Sequence, residues 1–286
     1  MVILVTGGTG QLGQALQSIS GSFPDATFHF ADSSKANITN KESLTNVFKA
    51  IHPDYCINAA AYTAVDKAES ETENASLINV VGARNLAQVC HEFNAVLIHI
   101  STDFVFDGEN LSQTPYTEID VTNPQGVYGQ TKRDGEIEVV KNLEKNYIIR
   151  TSWLYSDFGN NFMKTMLRLG TERSSLNVVN DQIGTPTHAV DLAKAIMKII
   201  DFDSRNKSSS YGIYHFSNEG KASWFDFAAK IFELNNISID LQPIATSQYP
   251  TPAKRPAFSV LDKSKIKAAF QLEIDDWETA LKKYKQ

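Results

Sequence analysis

The sequence predicts an α/β protein, a Rossmann-type doubly wound parallel sheet with a smaller C-terminal substrate-binding cap. Short apolar, β-branched runs alternate with helical segments through the first half of the chain, as in βαβ folds. A glycine-rich turn, GGTGQLG at 7–13, joins the first run to the first helix. Runs such as VILV and VLIHI are apolar on both faces, which indicates a sheet covered by helices on both sides.

The order of elements supports right-handed βαβ units. The predicted strands of the first half are 2–6, 27–31, 55–59, 96–100 and 147–150, and the predicted helices between them are 11–19, 41–51, 74–93 and 127–143.

The second half has a looser pattern. It predicts helices at 161–169, 188–201 and 223–234, strands at 176–179 and 212–216, and a polar loop at 204–210. Ser223 is a plausible N-cap, and three prolines make 250–258 irregular. We expect a dinucleotide-binding domain over 1–153, with roughly 176–215 completing its sheet, and a substrate-binding domain over roughly 154–175 and 216–286.

Composition narrows the function classes. The 286 residues are 42% hydrophobic and 21% charged, with a net charge of −6 and no basic block, which argues against nucleic-acid binding. The apolar runs are too short to span a bilayer, and a strand begins at Val2, leaving no room for a leader. Cys56 and Cys90 fit buried free thiols in a reducing cytoplasm. The histidines and cysteines have no metal-binding spacing.

The glycine-rich turn carries the dinucleotide signal. Its glycines satisfy both G-x-G-x-x-G and G-x-x-G-x-x-G, a pattern that lets backbone amides at a helix N-terminus approach a pyrophosphate. Asp32 ends the second strand 19 residues after Gly13, where an acid binds a ribose. The predicted cofactor-binding residues here are Gly7, Gly10, Gln11, Leu12, Gly13 and Asp32.

The residues alone do not decide whether the cofactor is NAD or NADP. Asp32 favours NAD, because a carboxylate repels a 2′-phosphate. Ser33, Ser34 and Lys35 follow at once and are able to hold that phosphate. Two more strand ends are expected at the same carboxyl edge of the sheet, where open α/β sheets bind ligands. They are Ala59, Ala60 and Ala61 after the third strand and STDF at 101–104 after the fourth.

Tyr128 and Lys132 are the predicted acid–base pair. Four residues are about one helical turn, so both side chains share a helix face. A neighbouring cation lowers a tyrosine pKa from about 10, and such a tyrosine exchanges protons with a carbonyl or alcohol oxygen. Thr102 offers a second hydrogen bond to that oxygen. The alternative is a packed aromatic beside a solvated charge. Gly129 and Gly135 weaken this helix, and close approach of a cofactor or strand is one explanation.

Seven separated motifs agree in order with one family. They are GQLGQAL, NAAAYTAVDKAE (58–69), STDFVFDG (101–108), YGQTK, RTSWLY (150–155), NDQIGTPTHAVDLA (180–193) and PAKRPAFSVLD (252–262). The chain resembles extended short-chain dehydrogenase/reductases and, from residue 1 to about 265, the dTDP-4-dehydrorhamnose reductase family.

The resemblance implies a reaction. Tyr128 protonates the C4 oxygen of a keto sugar, Lys132 tunes Tyr128 and binds the nicotinamide ribose, and Thr102 orients the sugar oxygen. Hydride passes from nicotinamide C4 to sugar C4, giving dTDP-L-rhamnose for surface polysaccharide. NADP(H) is favoured and NAD(H) possible, and the partner is a small-molecule nucleotide sugar bound by a monomer or homodimer.

The resemblance also implies a substrate pocket. Thr63, Val65, Asp103 and Trp153 match positions that line the sugar pocket, although Val65 and Trp153 also suit plain packing and Asp103 a turn or cap. Arg255 suits a diphosphate, because its guanidinium fork matches paired oxygens. An ordinary surface salt bridge is the alternative for Arg255.

The chain departs from the family at two places. The first helix, QLGQALQSIS, has no acid, so the magnesium bridge described for some dimers is not predicted. The segment NITN (37–40) lacks the acids that often flank Ile-Thr in the family, which puts the adenine-side contacts in doubt.

Two other functions compete. Sugar-nucleotide 4,6-dehydratases need a Glu at position 104, which is Phe here; epimerases are harder to exclude. The second class is non-catalytic, such as the regulatory subunit of methionine adenosyltransferase, which has no need of the whole Thr, Tyr and Lys set.

Overall fold

The computed structural model describes residues 1–110, 112–206 and 210–284, so part of the loop predicted at 204–210 lies outside the described residues. The strands are β1 (Val2–Thr6), β2 (Thr27–Ala31), β3 (Tyr55–Asn58), β4 (Val96–Thr102), β5 (Asn146–Thr151), β6 (Leu154–Tyr155), β7 (Ser175–Val179), β8 (Ile183–Gly184), β9 (Thr187–His188), β10 (Gly212–His215), β11 (Ala222–Ser223) and β12 (Asp240–Ile244). The helices are α1 (Gln11–Ile19), α2 (Lys41–Ile51), α3 (Val65–Ala68), α4 (Thr72–Ser76), α5 (Gly82–Glu92), α6 (Val127–Asn142), α7 (Phe162–Glu172), α8 (Ala189–Asn206), α9 (Trp224–Leu234), α10 (Ser264–Phe270) and α11 (Trp277–Lys283).

The main sheet is parallel and doubly wound, as predicted. Its strand order is β10-β5-β4-β3-β1-β2, and every neighbouring pair is parallel. The chain adds β2 on one side of β1 and then β3 on the other side, so the winding reverses at β1. Ligands of such sheets bind at the carboxyl ends of the strands beside this reversal.

Helices cover both faces of the sheet, which explains the continuous apolar strands. Along β1, Ile3 and Val5 pack in one core with residues of α1 and α8. Leu4, between them, packs in a second core with residues of α2 and α5, such as Phe48 and Leu86. Alternate side chains of one strand thus enter opposite cores.

The C-terminal part forms a cap with its own small sheets. β7 pairs with β12 in parallel, β8 with β11 in antiparallel, and β6 with β9 in parallel. The prediction that 176–215 completes the large sheet is therefore wrong for the strand at its start: β7 lies in the cap, and β10 alone joins the large sheet. β7 alternates exposed and half-buried side chains in its first three residues, as expected for a strand with one face toward solvent. The division into two domains stays a prediction.

The helix predicted at 74–93 contains a π-helical turn. α4 and α5 are joined by Leu77–Val81 in π conformation. This turn presents Asn79, whose side chain accepts a hydrogen bond from the backbone N–H of Tyr62 at 2.9 Å and donates one to its carbonyl at 3.1 Å. The turn thus fixes the loop that follows β3, consistent with the frequent placement of π turns at functional sites.

Three smaller predictions, on Ser223, on 250–258 and on the two cysteines, are confirmed. Ser223 caps α9 in a capping box with Asp226, and 250–258 contains no helix or extended strand segment. Cys56 and Cys90 are buried and free. Within the described ranges, no helix is long and apolar enough to cross a membrane.

The two glycines of α6 face neighbouring backbone. A Cβ on Gly129 would lie 2.2 Å from the carbonyl oxygen of Phe104, and one on Gly135 would lie 2.3 Å from that of Asn79. The groups that approach α6 closely at these two glycines are therefore backbone carbonyls of the chain itself, on two sides of the helix.

We expect Gly135→Ala to destabilise the protein by about 1–3 kcal/mol, because overpacking outweighs the gain of about 1 kcal/mol that alanine normally gives inside a helix. Chemical denaturation measures it. Gly21→Ala is the control, since no described heavy atom lies within 4 Å of a Cβ there. Equal midpoints for both variants would contradict the close-approach argument.

Candidate functional site

A cleft of about 700 Å³ opens at the carboxyl edge of the large sheet. It brings together most of the residues predicted from sequence: Gly10, Gln11, Leu12, Ala59, Ala60, Ala61, Thr63, Val65, Thr102, Asp103, Tyr128, Lys132, Trp153 and Arg255. Gly7 and Gly13, the two ends of the glycine-rich turn, and Asp32, which follows β2, are not among the residues that line the cleft.

The glycine-rich turn has room for a phosphate. Gly7 has a left-handed φ of 68°, and a Cβ there would lie 2.6 Å from the backbone nitrogen of Ala60; a Cβ on Gly13 would lie 2.4 Å from the Gly7 carbonyl oxygen. These two glycines let the turn pack against the chain. A Cβ on Gly10 would meet only that carbonyl oxygen among the described atoms, at 3.3 Å. The open side of Gly10, at the N-terminus of α1, fits a pyrophosphate.

Asp32 is tied into its own turn. Its Oδ1 accepts hydrogen bonds from the Ser34 hydroxyl at 2.6 Å, the Ser34 N–H at 3.0 Å and the Lys35 N–H at 3.2 Å. The bonds from Ser34 hold the pKa of Asp32 below its usual range, so the side chain is a carboxylate at neutral pH. The same bonds place Ser34 and Lys35 beside it.

A buried polar chain that the sequence reading missed supports the loop after β3. Asn58 Oδ1 accepts hydrogen bonds from the Thr6 hydroxyl at 2.8 Å and the Ala60 N–H at 3.2 Å, and Asn58 Nδ2 lies 3.0 Å from His99 Nδ1. Burial, and then the charge of Lys132, lower the pKa of His99 well below its usual range, so His99 is neutral. The only sequence signal for Asn58 is its place as the first residue of the NAAA motif.

The predicted acid–base pair projects into the cleft from α6. Lys132 is buried, and its Nζ donates a hydrogen bond to the Ile100 carbonyl at 2.6 Å. Burial lowers the pKa of Lys132 to about 8, and Glu136 acts against this shift. Tyr128 is partly buried, with its ring 5.5 Å from that of Phe104 in an edge contact.

The prediction that Lys132 lowers the pKa of Tyr128 is wrong for this structure. Burial raises the pKa of Tyr128 to about 12, a hydrogen bond with Thr102 opposes the shift, and the charge of Asp103 adds to it. The physical reason is that the ammonium of Lys132 binds the Ile100 carbonyl, while the phenol loses its hydration. Tyr128 is therefore protonated at neutral pH.

Thr102 and Asp103 form the end of β4. The Thr102 hydroxyl donates to Asp103 Oδ1 at 3.0 Å and accepts from the Phe104 N–H at 3.2 Å. Burial raises the pKa of Asp103 to about 6 against hydrogen bonds from Ser259 and Thr102. Asp103 therefore directs the hydroxyl of Thr102, which gives it more than a turn-forming role.

An aromatic stack forms one wall of the cleft. Trp153 has a left-handed φ of 45°, and its ring stacks on Trp224 with centroids 3.5 Å apart and an interplanar angle of 6°. Phe162 packs against Trp224 at 4.7 Å. A Cβ on Gly184 would lie 2.5 Å from the Trp153 ring. Sequence reasoning placed Trp224 in the first turn of a helix, and nothing in that local pattern indicated that it meets Trp153.

Arg255 forms a salt bridge, the alternative to diphosphate binding in the sequence analysis. Its Nη1 and Nη2 donate to Asp66 Oδ1 and Oδ2 at 2.8 and 2.7 Å, which holds the pKa of Asp66 below its usual range. Arg255 also borders a second cavity of about 810 Å³. That cavity lies between β7, α7 and the segment of Gln248 to Thr251, and it shares Phe162, Trp224 and Arg255 with the cleft.

Comparison with known proteins identifies the family of this chain. The RmlD substrate binding domain family matches residues 1–286. A dTDP-4-dehydrorhamnose reductase of Aggregatibacter actinomycetemcomitans is 41% identical over 290 residues, covering 98% of this chain and 97% of the relative. The chain belongs to the dTDP-4-dehydrorhamnose reductase family. The Escherichia coli K12 member is also 41% identical, with 99% of this chain and 96% of the relative covered.

Solved structures of this family superpose closely. The Clostridium acetobutylicum reductase has a TM-score of 0.93 at 42% identity, covering 99% of this chain and 98% of its own. The Bacillus anthracis reductase, solved in complex with NADP, has a TM-score of 0.92 at 39% identity with the same coverage. A UDP-glucose 4-epimerase of Thermus thermophilus, 16% identical with a TM-score of 0.80, shares the fold.

Gly10→Val tests the cofactor cradle. We expect the variant to fold with a melting temperature near that of the native protein, because Gly10 has an extended backbone with φ of −75° and a Cβ there meets only the Gly7 carbonyl oxygen, at 3.3 Å, among the described atoms. Its Kd for NADPH should weaken by about tenfold or more, about 1.4 kcal/mol, because the side chain takes the place of the pyrophosphate. Cofactor fluorescence titration and thermal melting measure both, with Gly21→Ala as control. Unchanged NADPH binding would contradict the cradle.

Proposed function

We propose that the protein reduces the C4 keto group of dTDP-4-dehydro-L-rhamnose to dTDP-L-rhamnose with NAD(P)H, a step of nucleotide-sugar synthesis for surface polysaccharide. The observation that carries the proposal is the grouping of Tyr128, Lys132 and Thr102 in one cleft with the glycine-rich turn. The names of the relatives, dTDP-4-dehydrorhamnose reductases, support the substrate.

The cofactor proposed is NADPH, with NADH as the alternative. The cradle at Gly10 suits the pyrophosphate shared by both. Ser33, Ser34 and Lys35, at the end of β2, supply hydroxyl groups and a cation for a 2′-phosphate, and the Bacillus anthracis relative was solved with NADP. When bound, the reduced nicotinamide supplies hydride to a carbonyl carbon.

The chain's own residues supply the proton and hold the substrate oxygen. Tyr128 keeps its proton at neutral pH because burial raises its pKa to about 12, so it is loaded as the acid that reduction requires. Thr102 donates a second hydrogen bond to the same oxygen after its hydroxyl turns from Asp103. Lys132, charged below pH of about 8, supplies a positive field beside the oxygen where negative charge develops.

The cap holds the rest of the nucleotide sugar. Thr63, Val65, Asp103 and Trp153 border the cleft as the sugar pocket requires. The second cavity adjoins the cleft and is large enough for a nucleoside, with Arg255 at the boundary. We assign the diphosphate to Arg255, in exchange for the carboxylate of Asp66. The protein acts as a monomer or homodimer, its partner being this small molecule.

The packing at Phe104 disfavours a dehydratase. The Phe104 ring packs edge-on against Tyr128, at the position where dehydratases need a Glu. Elimination of water from the sugar requires a carboxyl group there, and an apolar ring has none to offer.

A cofactor-oxidation assay with dTDP-4-dehydro-L-rhamnose, run with NADPH and with NADH, tests the function. We expect stoichiometric oxidation, whereas epimerases and dehydratases recycle their cofactor. Tyr128→Phe should lower kcat about 10²–10⁴-fold with NADPH binding retained. Tyr214→Phe is the control and should stay active, because the Tyr214 hydroxyl donates to the Ser210 carbonyl on the sheet edge away from the cleft. Survival of activity in Tyr128→Phe within a few-fold would remove Tyr128 as the acid.

Arg255→Met and Asp66→Asn together separate the two readings of Arg255. If Arg255 binds the diphosphate, Arg255→Met raises KM about tenfold to a hundredfold, the worth of a charged hydrogen bond. Asp66→Asn frees the guanidinium and leaves KM equal or lower. Steady-state kinetics and melting temperatures measure both. A salt bridge alone predicts equal losses of stability with KM unchanged in the two variants.

A further inference from the structure

The catalytic helix carries a third side chain on the face of Tyr128 and Lys132. Glu136 follows Lys132 by four residues, so Tyr128, Lys132 and Glu136 lie one helical turn apart along α6. Glu136 is 4% exposed and does not border the cleft. A buried carboxylate beneath the reacting groups requires an explanation, because charges are rarely buried without a specific partner.

Its carboxylate joins three elements. Glu136 Oε1 accepts hydrogen bonds from Arg150 Nε at 3.0 Å and from the Ser101 hydroxyl, and Oε2 accepts from Arg150 Nη2 at 2.7 Å. Ser101 immediately precedes Thr102 on β4. Ser101 and Arg150 are register partners across β4 and β5. One side chain of α6 therefore sets the position of the strand end that bears Thr102.

The charge of the same carboxylate acts on the ammonium of Lys132. This carboxylate is the group that raises the pKa of Lys132 against burial. Among the described residues, the other titratable or charged groups near Lys132 are His99 on β4, which is neutral, Arg150 on β5, which pairs with Glu136, and Tyr128 with Asp103 toward the cleft. Glu136 is thus ion-paired with Arg150, and its negative charge also favours the charged form of Lys132.

Stability alone does not explain this pair. Replacing a buried ion pair with apolar residues is often neutral or stabilising, because desolvation offsets the Coulomb attraction. The guanidinium of Arg150 lies 5.2 Å from the Phe106 ring centroid, and its Nη1 lies 3.5 Å from His215 Nε2. The pair is therefore best explained by what it positions.

We propose that Glu136 is a positioning residue of the reduction: it fixes α6, with Tyr128 and Lys132, to the strand end that carries Thr102, and supplies the anion opposite Lys132. This inference rests on the proposed reductase function. It concerns rate and pH dependence, because Glu136 lies outside the cleft and contacts neither ligand.

Glu136→Gln keeps the shape and removes the charge. We expect kcat to fall about tenfold to a hundredfold, the usual cost of a displacement of about 1 Å in a catalytic group, with KM and the Kd for NADPH within about twofold. The native kcat should decline above a pH of about 8, where Lys132 loses its proton. Without the anion Lys132 deprotonates more readily, so in Glu136→Gln this decline should begin at lower pH.

Three further variants separate positioning from stability. The double variant Glu136→Gln/Arg150→Met also removes the Arg150 cation, which Glu136→Gln alone leaves without its partner. We expect the melting temperature of the double variant to recover, while kcat stays low and the decline of kcat stays at the lower pH. Glu136→Asp keeps the charge and should restore the pH profile better than Gln. Ser101→Ala leaves the ion pair intact and should lower kcat with a native pH profile. Glu219→Gln, which loses the ion pairs with Lys263 and Lys267, is the control and should keep native kcat.

The outcomes are distinct. Recovery of kcat together with stability in the double variant, or a native pH profile in Glu136→Gln, overturns the inference. If the double variant does not fold, the Asp and Ala variants decide by the same two readouts. A native protein that oxidises no NADPH with the keto sugar refutes the proposed function instead, and the positioning role falls with it.

Discussion

The close approach of α6 to the end of the sheet is the constraint on which the site depends. Gly129 lies so near the Phe104 carbonyl, and Gly135 so near the Asn79 carbonyl, that neither position has room for a Cβ. At that separation Lys132 reaches the Ile100 carbonyl on β4. If α6 lay further from the sheet by the width of a side chain, the Lys132 ammonium would not reach that carbonyl. The weak helix propensity of these glycines is the local cost of bringing the reacting groups together.

Close packing also decides the electrostatics. Withdrawing groups from water favours their neutral forms, so the pKa of Tyr128 rises and that of Lys132 falls. Reduction requires a tyrosine that still holds its proton, and burial provides it directly. A lysine with a pKa of about 8 is charged at neutral pH only by a small margin. Its surroundings, with Glu136 as the opposing anion, therefore matter more to the site than the spacing of the pair.

Local patterns predicted most of the fold and the floor of the cleft, because the glycine-rich turn, the strand ends and the Tyr128 to Lys132 spacing each lie within a few residues. What escaped prediction depends on distant partners. Arg255 meets Asp66 across 189 residues, and Trp153 meets Trp224 only after the cap folds. The pairing of β7 outside the large sheet was not predicted, because its partner, β12, is a five-residue strand without a buried side chain. The sign of the tyrosine pKa shift depends on burial, which follows from tertiary packing.

The wall of the cleft is set by the fold itself. A tryptophan with positive φ costs about 1–3 kcal/mol and persists only where its surroundings over-determine it. Trp153 is held by the stacked ring of Trp224, and its ring lies so close to Gly184 that this position has no room for a Cβ. A wall built in this way need not be ordered when the substrate binds. Binding free energy that would otherwise order the site is then free to act on the transition state.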